Sequence, residues 1–239
     1  MSAAAPAIVL AFAFAYFLSA LLRAVTATLA PVFSAELGLG PAGLGLLAGA
    51  YFLGFASLQL PLGRALDRHG ARRVQLVLLS LAVIGCAGFA LATSLASLIA
   101  ARLLIGMGVA ACLMAPLTCF RHLFDAAVQL RLNSWMLMTG SLGMVASTVP
   151  VQLVLPYLGW RGLFVVLAVL LALSMLGLAR FAPRAAQEPA APAGGGYREI
   201  MRHPVFVADH LGLTVEIRHR TGEIDRSATG FVPPARHEA

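Results

Sequence analysis

Fifteen residues, PLGRALDRHGARRVQ at positions 61–75, hold two glycines, one acid and four arginines between two long apolar runs. In order they run Gly63, three residues, Asp67, Arg68, one residue, Gly70, one residue, Arg72, Arg73. These groups can do specific physical work. Small residues let helix backbones approach closely in a bilayer. A carboxylate among guanidinium groups can accept hydrogen bonds from a facing helix start or pair with arginine. Such a cluster can latch two parts of a molecule together. The simpler alternative, that the arginines only fix membrane topology, explains Arg64, Arg68, Arg72 and Arg73 but not the spacing of Gly63, Asp67 and Gly70.

A second set of candidates lies inside the apolar runs. Arg23 shares a helical face with Tyr16, Ser19 and Thr26, and the other faces of that run are Ala, Leu, Phe and Val, which predicts a polar side lining water or substrate. Arg102 is the one charged residue between Arg73 and Arg121. A guanidinium near the middle of a span costs about 2.5–3.5 kcal/mol on insertion scales, so each marks function by default. Two cavity-facing arginines without an intramembrane acid predict attraction for an anion, a carboxylate or an inorganic oxyanion, held bidentately. The alternatives are that Arg102 pairs within the bundle and Arg23 snorkels outward. Tyr51 and Gln59 can add hydrogen bonds or serve helix packing. Gly140, Gly143, Ser147 and Pro150 share one face of a later run and read as packing positions.

The elements that must carry these residues are membrane helices. The chain has 239 residues, of which 60% are hydrophobic and 11% charged, with a mean hydropathy of +0.87. Its apolar stretches approach the roughly 20 residues that cross a hydrocarbon layer of about 30 Å. The net charge of +7 comes from arginines at the ends of apolar runs, not from one soluble face, which argues against nucleic acid. All the basic residues are arginine, which carries no functional meaning. Cys86, Cys112 and Cys119 lie inside apolar runs without ligand spacing and read as small buried residues. The first basic residue is Arg23, so the charged start of a cleavable signal is missing and the first run is expected to stay as a helix.

The charges divide the chain into six spans. The first runs through Ala30 to Pro31 with Arg23 inside it, and the second from about Pro41 to Leu62. The third and fourth turn at TSLAS (93–97), with Arg102 in the fourth. FRHLFDAAVQLR (120–131) is a polar loop, the fifth span runs from Asn133 to Leu158, LGWR is a short turn, and the sixth covers Gly162 to Phe181. Arginines cluster after spans two, four and six, so these regions and both termini are expected on the cytoplasmic side. Residues 1–182 then form the membrane domain, 183–196 a Pro/Ala/Gly linker, and 197–239 a polar tail in which TVEIRHRTGEID could make a marginal hairpin.

In this arrangement the 61–75 stretch resembles the loop after the second helix of the major facilitator superfamily. RLLIG, with Arg102 and Gly106, and GWR at 159–161 agree with the same family; the resemblance covers about residues 8–207. It implies an all-α fold of two inverted three-helix repeats, half of the usual twelve-span transporter. It also implies a secondary transporter of a small solute in a bacterial-type cytoplasmic (inner) membrane, with helices one and four lining the cavity and the 61–75 cluster stabilising one state of alternating access. No cofactor is implied. The polar residues after GYREIMRHPVF (196–206) start no seventh span, so a truncated or frame-shifted product is expected, active only with a homodimer partner or a separate second half; the alternative is a non-transporting fragment or subunit.

Other classes fit less well. An intramembrane protease would need a histidine base, and the sixth span has no His. No phosphate loop, metal-ligand cluster or dinucleotide fingerprint occurs. Symport, antiport and the coupling ion, a proton or another, stay open.

Overall fold

The computed structural model describes residues 5–183; the linker beyond them and the polar tail, with its expected hairpin, lie outside the described residues. Among these residues there is no strand. The elements are α1 (Ala5–Leu37), α2 (Pro41–His69), α3 (Ala71–Leu91), α4 (Leu95–Val109), α5 (Met114–Leu123), α6 (Ala126–Ala146) and α7 (Val149–Phe181). Five stretches are long and apolar enough to cross a membrane: α1, α2, α3, α4 together with α5, and α7.

Six rods emerge once the breaks are placed. α4 and α5 are one span interrupted at 110–113. Gly159, at φ 61, ψ 173, divides α7 into residues 149–158 and 160–181. α6 and α7 hardly touch side by side, so residues 149–158 continue α6 across the break at Ser147 and Thr148 instead of folding back on it.

Local sequence explains most of these limits, and several differ from the expected ones. α1 runs on past Pro31 to Leu37, because the residues after it remain helix-compatible and a single proline interrupts one hydrogen bond without ending a helix packed on its neighbours. α2 reaches His69 instead of stopping near Leu62. ALDRH is made largely of helix-tolerant residues, and only Gly70 adopts a conformation, φ 78, that side chains resist. The connection between α2 and α3 is therefore a single glycine, with Gly63, Asp67 and Arg68 on α2 and Arg72 and Arg73 opening α3. Ser94 caps α4 through a reciprocal pair with Ser97. The expected loop at 120–131 shrinks to Phe124 and Asp125, since the Asp125 carboxylate accepts from the Val128 amide at 2.9 Å and starts α6 early.

Glycines decide which helices meet. A Cβ at Gly106 would overlap the Tyr51 carbonyl, and one at Gly54 the Leu103 carbonyl, so α2 and α4 cross backbone to backbone. Gly85 and Gly108 do the same for α3 and α4. Gly143 meets the Phe17 carbonyl and Gly140 the Tyr16 ring, which seats α6 on α1. Gly63 is different: a Cβ there would meet nothing within 4 Å, so the close approach expected at this glycine does not occur among the described residues.

The sixth rod lies antiparallel along the full length of α3. At one end the Arg161 guanidinium donates to the Ala92 carbonyl at 3.0 Å, and at the other Arg72 donates to the Ala179 carbonyl. Near Ala92, Trp160 packs edge-on against Phe33 and Phe89, with centroids at 5.4 and 5.8 Å. Its indole N–H donates to the Glu36 carboxylate at 2.7 Å. GWR thus has a structural reading: the glycine turns the chain, the tryptophan gathers the ends of α1 and α3, and the arginine ties the α3 terminus.

Gly106→Val should lower stability by about 1–3 kcal/mol through overpacking against the α2 backbone. Gly63→Ala should be neutral or stabilising by up to about 1 kcal/mol, since alanine is the better helix former. Thermal unfolding of both variants in detergent checks the contrast.

Candidate functional site

The two intramembrane arginines have opposite surroundings. Arg102 is fully buried. Its guanidinium donates to the Leu22 carbonyl at 2.9 Å and to the Thr26 hydroxyl, both on α1, while its Nε has no hydrogen-bond partner. The cation lies over the Phe89 ring at 5.2 Å and the Phe164 ring at 5.5 Å. α1, α3, α4 and the sixth rod thus converge on one guanidinium. Hydrogen-bond acceptors and aromatic faces substitute for the water it lost.

Arg23 is half-buried. Its guanidinium stands over Phe55 of α2, 5.5 Å from the ring centroid, and is an electrostatic neighbour of the Tyr51 hydroxyl. That hydroxyl is buried, with Arg23 as its polar partner. A cation that keeps solvent access beside a phenol offers hydrogen-bond donors of the kind an oxyanion accepts from.

The rest of the polar face of α1 is turned inward. Tyr16, Ser19 and Thr26 are buried: Tyr16 beneath Gly140, Thr26 on Arg102, and Ser19 beside Cys112 at the break of the fourth span. Gly140 of α6 covers Tyr16, and the fourth span covers Ser19 and Thr26, positions that the helical period alone would leave open. On α2, Gln59 is half-buried. On α6 and α7, Gly140 and Gly143 are buried while Pro150 is exposed at the helix start.

The residues of the 61–75 cluster lie together at one end of the bundle. Asp67, Arg68 and Arg73 are exposed, Gly63 faces open space, and Arg72 is engaged with Ala179. Sequence reasoning missed Gln75, which is fully buried on α3 with its amide beside the Cys112 thiol. A lone amide in an apolar run was its one signal. It also missed the rings around Arg102, since Phe89 and Phe164 are ordinary apolar residues until tertiary packing brings them together.

With this geometry in hand, the comparisons with known proteins identify the family. A sequence model of the Major Facilitator Superfamily matches residues 12–217, and the chain belongs to that superfamily. It is an integral membrane protein. Among its relatives, the cephamycin export protein CmcT of Amycolatopsis lactamdurans is 43% identical over 116 residues, 48% of this chain and 23% of that one. The multidrug resistance protein MdtM of Salmonella typhimurium is 27% identical over 191 residues, 77% of this chain and 45% of the relative. The multidrug transporter MdfA of Yersinia pestis is 27% identical over 169 residues, covering 69% and 41%. The chain spans less than half the length of each of these relatives.

Thr26→Val should cost about 1–2 kcal/mol by stripping a hydrogen bond from a buried cation, whereas Arg23→Gln, at a half-open position, should cost far less. Detergent-titrated unfolding of the purified variants measures both.

Proposed function

We propose that this chain forms the N-terminal six-helix half of a secondary transporter that moves a small anionic solute by alternating access. The observation that carries the anion is Arg23, a half-open guanidinium deep in an apolar helix beside the buried Tyr51 hydroxyl. Arg102 then acts from within the wall: it fixes α1 against α4, and so fixes the depth and direction of Arg23. The relatives are named for cephamycin export and multidrug transport, which supports transport of a small solute; the anionic character of that solute, carboxylate-bearing or another oxyanion, rests on Arg23.

In this reading the six rods are two inverted three-helix repeats, with α1 and the fourth span as corresponding members. A second six-helix unit, either another copy of the chain or a separate half, closes the cavity. Asp67 and Arg68 of the 61–75 cluster face that unit and latch one conformation. The positive-inside bias places their end of the bundle, and both termini, on the cytoplasmic side of a bacterial inner membrane. Coupling to a proton or another ion drives the cycle.

The test is uptake into proteoliposomes of a panel of labelled organic anions and their neutral esters. Arg23→Ala should reduce anion transport about tenfold or more, the value of a charge-assisted hydrogen bond, without changing transport of the esters. Arg23→Lys should fall between. Equal anion transport by parent and Arg23→Ala removes Arg23 from the site.

A further inference from the structure

α2 and α3 are joined by a single residue yet touch sparsely along their lengths, because α4 packs between them through Gly54 and Gly106 on one side and Gly85 and Gly108 on the other. Held apart in this way, they enclose a cleft of about 370 Å³ at the arginine-rich end of the bundle. Its walls are apolar, with Leu58, Pro61 and Ala65 on α2 and Val77 on α3; His69 and Arg73 stand at its mouth. Both of these mouth residues are exposed. From Leu58 to His69 the wall rises eleven residues, about 16 Å of helix, which is roughly half of a 30 Å hydrocarbon layer. The cleft is therefore as deep as one leaflet, greasy along that depth, and cationic where the headgroups begin.

We propose that this cleft binds one anionic phospholipid, with an acyl chain between α2 and α3 and the phosphate held by Arg73 and His69. The shape and the charge both point to this occupant. Val77 and Pro61 are exposed, so in a bilayer the groove meets lipid chains directly. Basic pockets between membrane helices at headgroup level select anionic lipids, and a guanidinium is suited to the phosphate oxygens. The site is separate from Arg23 and Arg102 and does not depend on what the protein transports. Its position beside Gly70 gives it a consequence: a lipid wedged between α2 and α3 stiffens the connection that carries Asp67, Arg68 and Arg72.

The experiment is native mass spectrometry of the full chain, purified in detergent and stripped of lipid, then titrated with phosphatidylglycerol or with phosphatidylcholine of the same acyl chains. The parent should retain one phosphatidylglycerol with several-fold preference over phosphatidylcholine. Arg73→Gln should reduce that preference to near unity, and Arg73→Lys should keep most of it. Ala65→Phe, which fills the cleft, should lower retention of both lipids while circular dichroism remains that of the parent. Equal retention of the two lipids by the parent overturns the proposal. So does unchanged retention in Ala65→Phe, competition by chain-free glycerophosphoglycerol as strong as by the lipid, or a chain dimer that excludes lipid from Ala65.

Discussion

A cation enclosed in an apolar bundle needs acceptors and aromatic faces in place of most of its lost water, and Arg102 imposes that demand on this chain. Its hydrogen bonds go to Leu22 and Thr26 of α1, and its faces meet Phe89 of α3 and Phe164 of the sixth rod. Four residues further along α4, Gly106 lies against the backbone of α2. α4 therefore acts as the hub: small residues press it onto α2 and α3, and one long polar side chain binds it to α1. Interhelical contact in lipid draws on just these two resources, close packing and internally satisfied polar groups, because burial of apolar surface gives little advantage there.

The same arrangement divides α1 into two sides. Ser19 and Thr26 are committed to the interior, while Arg23, between them in sequence, keeps part of its surface open and leans over Phe55. A transport site needs a fixed charge that remains reachable, and a rigid neighbour that prevents it from collapsing onto the wall. In the proposed site the Arg102 network is the rigid neighbour and the half-open Arg23 is the charge. At the far end of the bundle, Trp160 and Glu36 hold the tips of α1, α3 and the sixth rod together.

The membrane class and the family were legible in the sequence, because hydropathy and the spacing of Gly63, Asp67, Gly70, Arg102 and GWR are local properties. The expected end of α2 at Leu62 was not correct, since nothing in LGRALDRH forbids a helix until Gly70. Breaks at 110–113 and at Ser147 and Thr148 were invisible for the opposite reason: they occur inside apolar stretches with no charge to mark them. Periodicity placed Tyr16, Ser19, Arg23 and Thr26 on one face, but which part of that face is covered depends on Arg102, Cys112 and Gly140, 76 or more residues away from the positions they cover. Gly63 teaches the same lesson in reverse. A small residue permits close approach without guaranteeing that a neighbour arrives.

The decisive contrast is one turn of α1, where a half-open residue precedes a sealed one. In a background with Cys86, Cys112 and Cys119 replaced, the single substitutions Arg23→Cys and Thr26→Cys can be exposed, in native membranes, to a water-soluble maleimide. Rapid labelling at position 23, with labelling at position 26 only after denaturation, is the expected result. Position 26 labelling as fast as position 23, or position 23 remaining inert, would contradict a wall sealed around Arg102 beside a reachable Arg23.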